Sequence, residues 1–240
     1  MRALLDLVFP PRCPICRTIV SHTTTACATC WQQLNFISAP FCNQCGLPFE
    51  TSDSEEGASV QKCVSCLDKP PAFSSARSAY VYDDISKKMI LSFKHGSAFH
   101  LLPFLTQSLV SAGQEFFKDV DLIVPVPLHW QRLYKRGFNQ AALLAQQLGK
   151  TLKKDVDISI LKRIKNTPSQ GDLSSEERIK NVSNCFKVSS PQKIKNKSIV
   201  LVDDVMTTGA TLNACALTLL KEGGAKDVKA LCLARVKNIQ

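Results

Sequence analysis

Residues 198–212 read Ser-Ile-Val-Leu-Val-Asp-Asp-Val-Met-Thr-Thr-Gly-Ala-Thr-Leu, a buried apolar strand that ends on two carboxylates and turns through small residues into a helix. Thr207, Thr208 and Thr211 offer hydroxyls, and Met206, Gly209 and Ala210 complete a loop of free backbone N–H groups. This loop lies at a helix N-terminus whose dipole favours negative charge, so it reads as a phosphate cradle. Asp203 and Asp204 cannot hold the phosphate, because their charge would repel it. They suit a neutral group attached to it, such as sugar hydroxyls that donate to acceptor-only carboxylates. Neither a Walker loop nor a dinucleotide fingerprint is present, since the stretch has no Lys and a single Gly.

At 240 residues and 45% hydrophobic content the chain has room for one ordinary domain and a small module. No apolar run approaches the roughly 18–20 residues that span a bilayer, and the leading apolar segment is short and contains Asp6, so we expect a cytoplasmic protein without membrane insertion. The net charge of +10 is uneven. Residues 1–75 carry five Lys or Arg against six Asp or Glu, which leaves 25 against 14 for the remainder. A basic body suits a polyanionic small substrate or a nucleic-acid backbone, and charge alone does not separate them.

Eight of the eleven cysteines form four C-x-x-C pairs: Cys13 and Cys16, Cys27 and Cys30, Cys42 and Cys45, Cys63 and Cys66. Their segments are rich in turn residues and poor in apolar period, so they cannot fold on a core alone. Thiolates in tetrahedral array match structural Zn²⁺, and C-x₂-C-x₁₀-C-x₂-C followed by C-x₂-C-x₁₇-C-x₂-C reads as two zinc ribbons in series. An interleaved pairing fits the spacing as well. Closed four-sulfur sites leave no open coordination position, which favours a structural over a redox role. With two zinc ions the module would be more acidic still, and we expect it to dock on the basic body. Residues 1–70 form this module, and residues 76–240 form the second domain.

In that second domain we expect strands at 78–82, 121–127, 156–161, 185–188 and 228–234 besides the central one. Helical spacing runs over 85–93, 99–117, 141–148 and 211–222. Such alternation gives an open parallel sheet with helices on both faces, whose ligands sit beyond the strands' carboxyl ends. Leu128 and His129, with the cations Arg132 and Arg136, therefore face the cradle from the exit of the strand before them. The polar segment 163–178 breaks at Thr167-Pro168 and reads as a mobile loop. Cys185, Cys215 and Cys232 fall at core positions and read as buried thiols.

Apolar strand, Asp-Asp, two residues, then Thr-Thr-Gly-x-Thr resembles the phosphoribosyl diphosphate (PRPP) motif of type I phosphoribosyltransferases. That resemblance implies that Asp203 and Asp204 hold the ribose 2′ and 3′ hydroxyls and that the loop holds the 5′-phosphate. The loop at Leu128 and His129 would bind the diphosphate, and the mobile segment, with Gln170 and Arg178, would close over it. Together with the four cysteine pairs, the run Lys135-Arg136-Gly137-Phe138-Asn139-Gln140 and Arg163-x₃-Thr167-x₂-Gln170, the motif is similar to the ComF family along essentially the whole chain. The ComF resemblance implies PRPP with Mg²⁺ as ligand, no identified acceptor or general base, and a role in bacterial DNA uptake. Lys94 and His129 are possible contributors to the chemistry. Single-stranded DNA, a competence helicase or an uptake protein are the partners it suggests, through the basic surface or the zinc ribbons.

Overall fold

The computed structural model describes residues 10–22, 24–49, 61–94, 98–166 and 184–237. In the cysteine-rich part the same local unit occurs twice. Arg17 N donates to Cys13 O (3.0 Å) and Cys13 N to Thr18 O (2.7 Å); Gly46 N donates to Cys42 O (2.8 Å) and Cys42 N to Leu47 O (2.8 Å). Arg17 and Gly46 both take left-handed backbone, at φ 68° and 66°. Each turn is closed by one antiparallel bridge, Arg12 to Ile19 and Phe41 to Pro48. The second cysteine pair of each unit opens a short helix, α1 (Ala28–Gln32) after Cys27 and α2 (Val64–Asp68) after Cys63.

From residue 75 strands and helices alternate: β1 (Ser75–Val81), α3 (Asp84–Lys94), α4 (Leu102–Ala112), β2 (Leu122–Pro125), α5 (Trp130–Arg136) and α6 (Gln140–Leu152). There follow β3 (Leu161–Arg163), β4 (Phe186–Val188), β5 (Ser198–Met206), α7 (Ala210–Lys221) and β6 (Asp227–Arg235). Four strands form a parallel sheet in the order β1-β6-β5-β2. The longest strands, β5 and β6, sit at its centre, where both faces need apolar side chains. On β5, Ile199 and Leu201 point to one face, with α7 and the β3-β4 pair, while Val200 and Val202 point to the other, with α3, α4 and α6. That alternation of partners is why β5 is apolar at every position from Ile199 to Val202.

Three of the expected elements change. The strand expected at 156–161 is a single bridge from Val156 to Ile123. Asp157 then ends it: its Oδ1 accepts from Ser159 N (2.8 Å) and Ile160 N (3.0 Å), an Asx turn that competes with a ladder. Pairing resumes at β3, antiparallel to β4 in a separate small sheet. The helix expected over 99–117 is α4 flanked by 3₁₀ turns at Phe99–Leu101 and Phe116–Lys118, interrupted at Gly113. β1 begins three residues before the expected 78, because Ser75 and Ala76 already pair with Lys229 and Ala230.

The cysteine-rich part closes the β1 edge of the sheet. Ile37 N donates to Ala79 O (3.0 Å) and Val81 N to Asn35 O (2.8 Å), so residues 35–37 act as an added antiparallel strand. An open edge of this kind would otherwise invite another chain.

Candidate functional site

The two cysteine sets are the sequential ones. Sγ atoms of Cys13, Cys16, Cys27 and Cys30 lie within 4.8 Å of one another, as do those of Cys42, Cys45, Cys63 and Cys66, which settles the alternative pairing. Ligands 2.3 Å from a tetrahedral zinc stand about 3.8 Å apart, and the Cys16 to Cys27 and Cys45 to Cys63 separations of 3.5 and 3.6 Å are near that value. Backbone N–H groups also point at sulfur, from Cys27 to Cys13 (3.4 Å), Cys45 to Cys42 (3.5 Å) and Cys63 to Cys42 (3.3 Å). Such donors stabilise thiolate over thiol. Against the opposing effect of burial, they hold the Cys42 thiol down at about 7. Both sets fit structural zinc, and neither leaves a position for a substrate. They differ in setting: Cys16 is exposed in the first, whereas Cys42, Cys45 and Cys66 of the second belong to the apolar core beside α7.

At the carboxyl edge of the sheet, β5 ends on the acidic pair. Asp204 N donates to Asp203 Oδ1 (2.8 Å), and Lys94 Nζ at the end of α3 pairs with Asp204 Oδ2 (2.9 Å). Burial, and then the Asp204 charge, push the Asp203 carboxyl up to about 7, although Lys94 and Arg163 oppose the shift. From Lys94 a continuous set of groups circles the mouth. Gln140 Nε2 donates to Lys94 O (3.0 Å), and Arg136 Nη1 donates to Gln140 Oε1 (3.1 Å). Burial, followed by the charges of Arg163 and Arg136, lowers Arg132 from its ordinary value. Arg163 in turn acts on Asp203, which returns the circuit to the acidic pair.

The loop after β5 has the conformation a cradle needs. Gly209 is left-handed at φ 80° and caps α7, and Ala210 N donates to Thr208 Oγ1 (3.3 Å). A Cβ at Gly209 would stand 2.8 Å from the flexible tip of Met206, which can shift, so it is the left-handed backbone that requires glycine. The side chains of Met206 and Ala210 are buried beneath the loop, and Thr207, Thr208 and Thr211 are half-exposed.

Across the mouth, His129 is buried and caps α5, its Nδ1 accepting from Gln131 N (3.4 Å). Leu128 beside it is half-buried. Asn139 Nδ2 donates to Val126 O (3.0 Å) and holds the turn onto α6. Asn166 donates to Gln131, which brings the exit of β3 over α5. Gln170 and Arg178 lie outside the described residues. Two residues the sequence reading did not place at the mouth stand there: Arg163, assigned to the loop but seated on β3, and Gln140, the link between Lys94 and Arg136. For both, a signal existed in the family motifs that contain them. A third, Arg235, reaches the loop from beneath, with no sequence signal at all.

The double zinc ribbon domain model matches residues 4–67 and the phosphoribosyl transferase domain model matches residues 133–238. Competence protein F of Haemophilus influenzae is 32% identical over 215 residues, covering 87% of this chain and 90% of that protein. The DNA utilization protein YhgH of Salmonella typhi is 33% identical over 238 residues, covering 95% of this chain and 99% of that protein. Competence protein ComFC of Bacillus subtilis is 29% identical over 210 residues, 87% of this chain and 83% of that protein. Among the described residues no helix is long and apolar enough to cross a membrane.

Proposed function

The chain belongs to the competence protein F (ComF) family, with a double zinc ribbon and a phosphoribosyltransferase domain, and from that premise we propose that it binds PRPP as its Mg²⁺ complex at the end of β5. It is a competence-related, phosphoribosyltransferase-like protein. In this reading the ribose hydroxyls donate to Asp203 and Asp204, and the 5′-phosphate takes the N–H groups of residues 207–211 at the N-terminus of α7. The diphosphate turns toward Arg132, Arg136 and Arg163. In a transfer step an acceptor nucleophile would bond to C1′ as the C1′–oxygen bond breaks and diphosphate leaves, with negative charge growing on the diphosphate and positive charge on the ribose. The arginines stabilise the first and the acidic pair the second.

The observation that carries the reading is the circuit itself: an acidic pair and three arginines around one mouth, with Lys94 and Gln140 linking Asp204 to Arg136. Calorimetric titration of the zinc-loaded protein with Mg–PRPP tests it, beside an Asp203→Asn, Asp204→Asn variant. Two charge-assisted hydrogen bonds at about 1.5–3 kcal/mol each amount to a loss of about a hundredfold or more in affinity. A folded wild type that takes up no PRPP would sink the proposal.

A second reading rests on α5. Exposed Trp130 (66%) and Tyr134 (90%) there interleave with Arg132, Lys135 and Arg136. Aromatic faces between cations suit the bases and backbone of a single-stranded nucleic acid. The locus is one helix of the basic surface and lies apart from the zinc ribbons. With stacking contributing about 1–3 kcal/mol per base, Trp130→Ala and Tyr134→Ala together should weaken oligonucleotide binding at least tenfold in fluorescence titration. Unchanged affinity would remove α5 as the contact.

A further inference from the structure

Arg235 ends β6 and is only 4% exposed. Its Nη1 donates to the carbonyls of Thr207, Met206 (3.3 Å) and Val236 (3.3 Å), so it grips the backbone that opens the loop from below. Its Nη2 donates to Cys45 Sγ (3.9 Å) in the second cysteine set. Nε has no partner, and among the described residues no carboxylate lies within ion-pair distance of the side chain.

A guanidinium does not give up its proton, so the charge must be balanced where it is buried. Carbonyl dipoles do this only in part. Four thiolates around one Zn²⁺ carry a net charge of −2, and this charge stands next to Nη2. The first cysteine set has no such link. It docks instead through Pro14 O to His100 Nε2 (3.0 Å) and through Arg17 Nη2 to His100 Nδ1 (3.1 Å), at the start of the α4 region.

We infer that Arg235 is a positioning residue that couples the second metal centre to the phosphate loop, so that residues 206–209 keep their cradle form while the second cysteine set stays closed and Cys45 Sγ stays against Nη2. Opening of that set withdraws Cys45 Sγ from Nη2 and loosens the guanidinium that holds the Met206 and Thr207 carbonyls. The left-handed turn at Gly209 then loses its support. The identity of the loop's ligand rests on the PRPP reading; the coupling itself does not.

The test uses the full zinc-loaded chain. Amide hydrogen exchange is followed over residues 203–212 while a chelator withdraws zinc, with alkylation and mass spectrometry reporting which cysteine set has opened. Exchange at Thr207 to Ala210 should quicken by about tenfold in step with alkylation of Cys42, Cys45, Cys63 and Cys66, and stay constant while only Cys13, Cys16, Cys27 and Cys30 open. Arg235→Gln should give the same local quickening with both zinc ions retained, and Arg235→Lys should restore part of the protection. Mg–PRPP affinity should fall about tenfold in Arg235→Gln. Loop exchange that ignores the second set, or follows the first equally, overturns the coupling, and the chelation arm decides even if Arg235→Gln fails to fold. A wild type that binds no PRPP but shows the coupled exchange would refute the ligand and leave the coupling standing.

Discussion

Asp203 shows how one side chain at a sheet edge sets opposed demands. Its carboxyl is raised from 3.8 to about 7 by burial and by Asp204, so the folded protein favours the protonated acid. The resulting contribution to stability is full below the unfolded value near 3.8 and is lost as pH rises through about 7. Hydroxyl donors, in contrast, need the carboxylate. Ligand-free protein should therefore lose thermal stability between those pH values relative to Asp203→Asn, while PRPP affinity rises over the same window more steeply than in that variant. Differential scanning calorimetry and titration across pH check both signs, and parallel curves for the two proteins would be the failing result. Gly209 meets a harder constraint, a left-handed φ of 80° that residues with a Cβ rarely adopt. Gly209→Ala should cost about 1–3 kcal/mol in urea unfolding. The acidic pair and the loop were legible because their chemistry is local. Arg235 was not, since it acts across a fold contact that no spacing encodes.

At the scale of elements, α6 ends by a close approach. Gly149 faces the chain that leaves the helix: a Cβ there would meet the Val156 side chain and stand 2.9 Å from Lys154 O. That approach lets Lys153 turn left-handed at φ 54° and brings Val156 beside Ile123 at the sheet edge. Propensity favours Gly149→Ala by about 1 kcal/mol, and overpacking opposes it by about 1–3 kcal/mol. The steric effect should win, lowering the urea midpoint, and a more stable variant would show that the return segment yields freely. Helices and central strands were legible from apolar period. The strand expected at 156–161 was not, because apolar Val156, Ile158 and Ile160 favour a strand while Asp157 bonds its own following backbone.

Across the whole molecule, the cysteine-rich part is a wall of the fold. Besides its pairing with β1, Ala72 N donates to Asn213 Oδ1 on α7 (2.7 Å), Ala76 N to Gln44 O (2.7 Å), and Asn35 Nδ2 to Asp83 Oδ2 (2.6 Å). Phe73 is buried near Gly209. Among the described residues the ion pairs between Lys or Arg and Asp or Glu all lie within residues 77–204, and the two parts are joined by backbone pairing and by the Arg235 contact with Cys45. We propose that the division into 1–70 and 76–240 separates functions and not folding units. Residues 76–240 expressed alone should expose the β1 edge and the core beneath the second metal set, and unfold at lower urea than the full chain or aggregate. An equal midpoint would make the parts independent. By itself the sequence determined the parallel sheet, the acid pair with its phosphate loop, and the zinc chemistry, since strand period, helix-start chemistry and thiolate spacing all act over a few residues. Only tertiary structure decided which cysteines share a metal, that the arginines of α5 and β3 meet the acidic pair, and that Arg235 joins a metal centre to the loop. Those contacts link residues far apart in the chain, and the cost of burying unpaired charge operates only after the fold has brought them together.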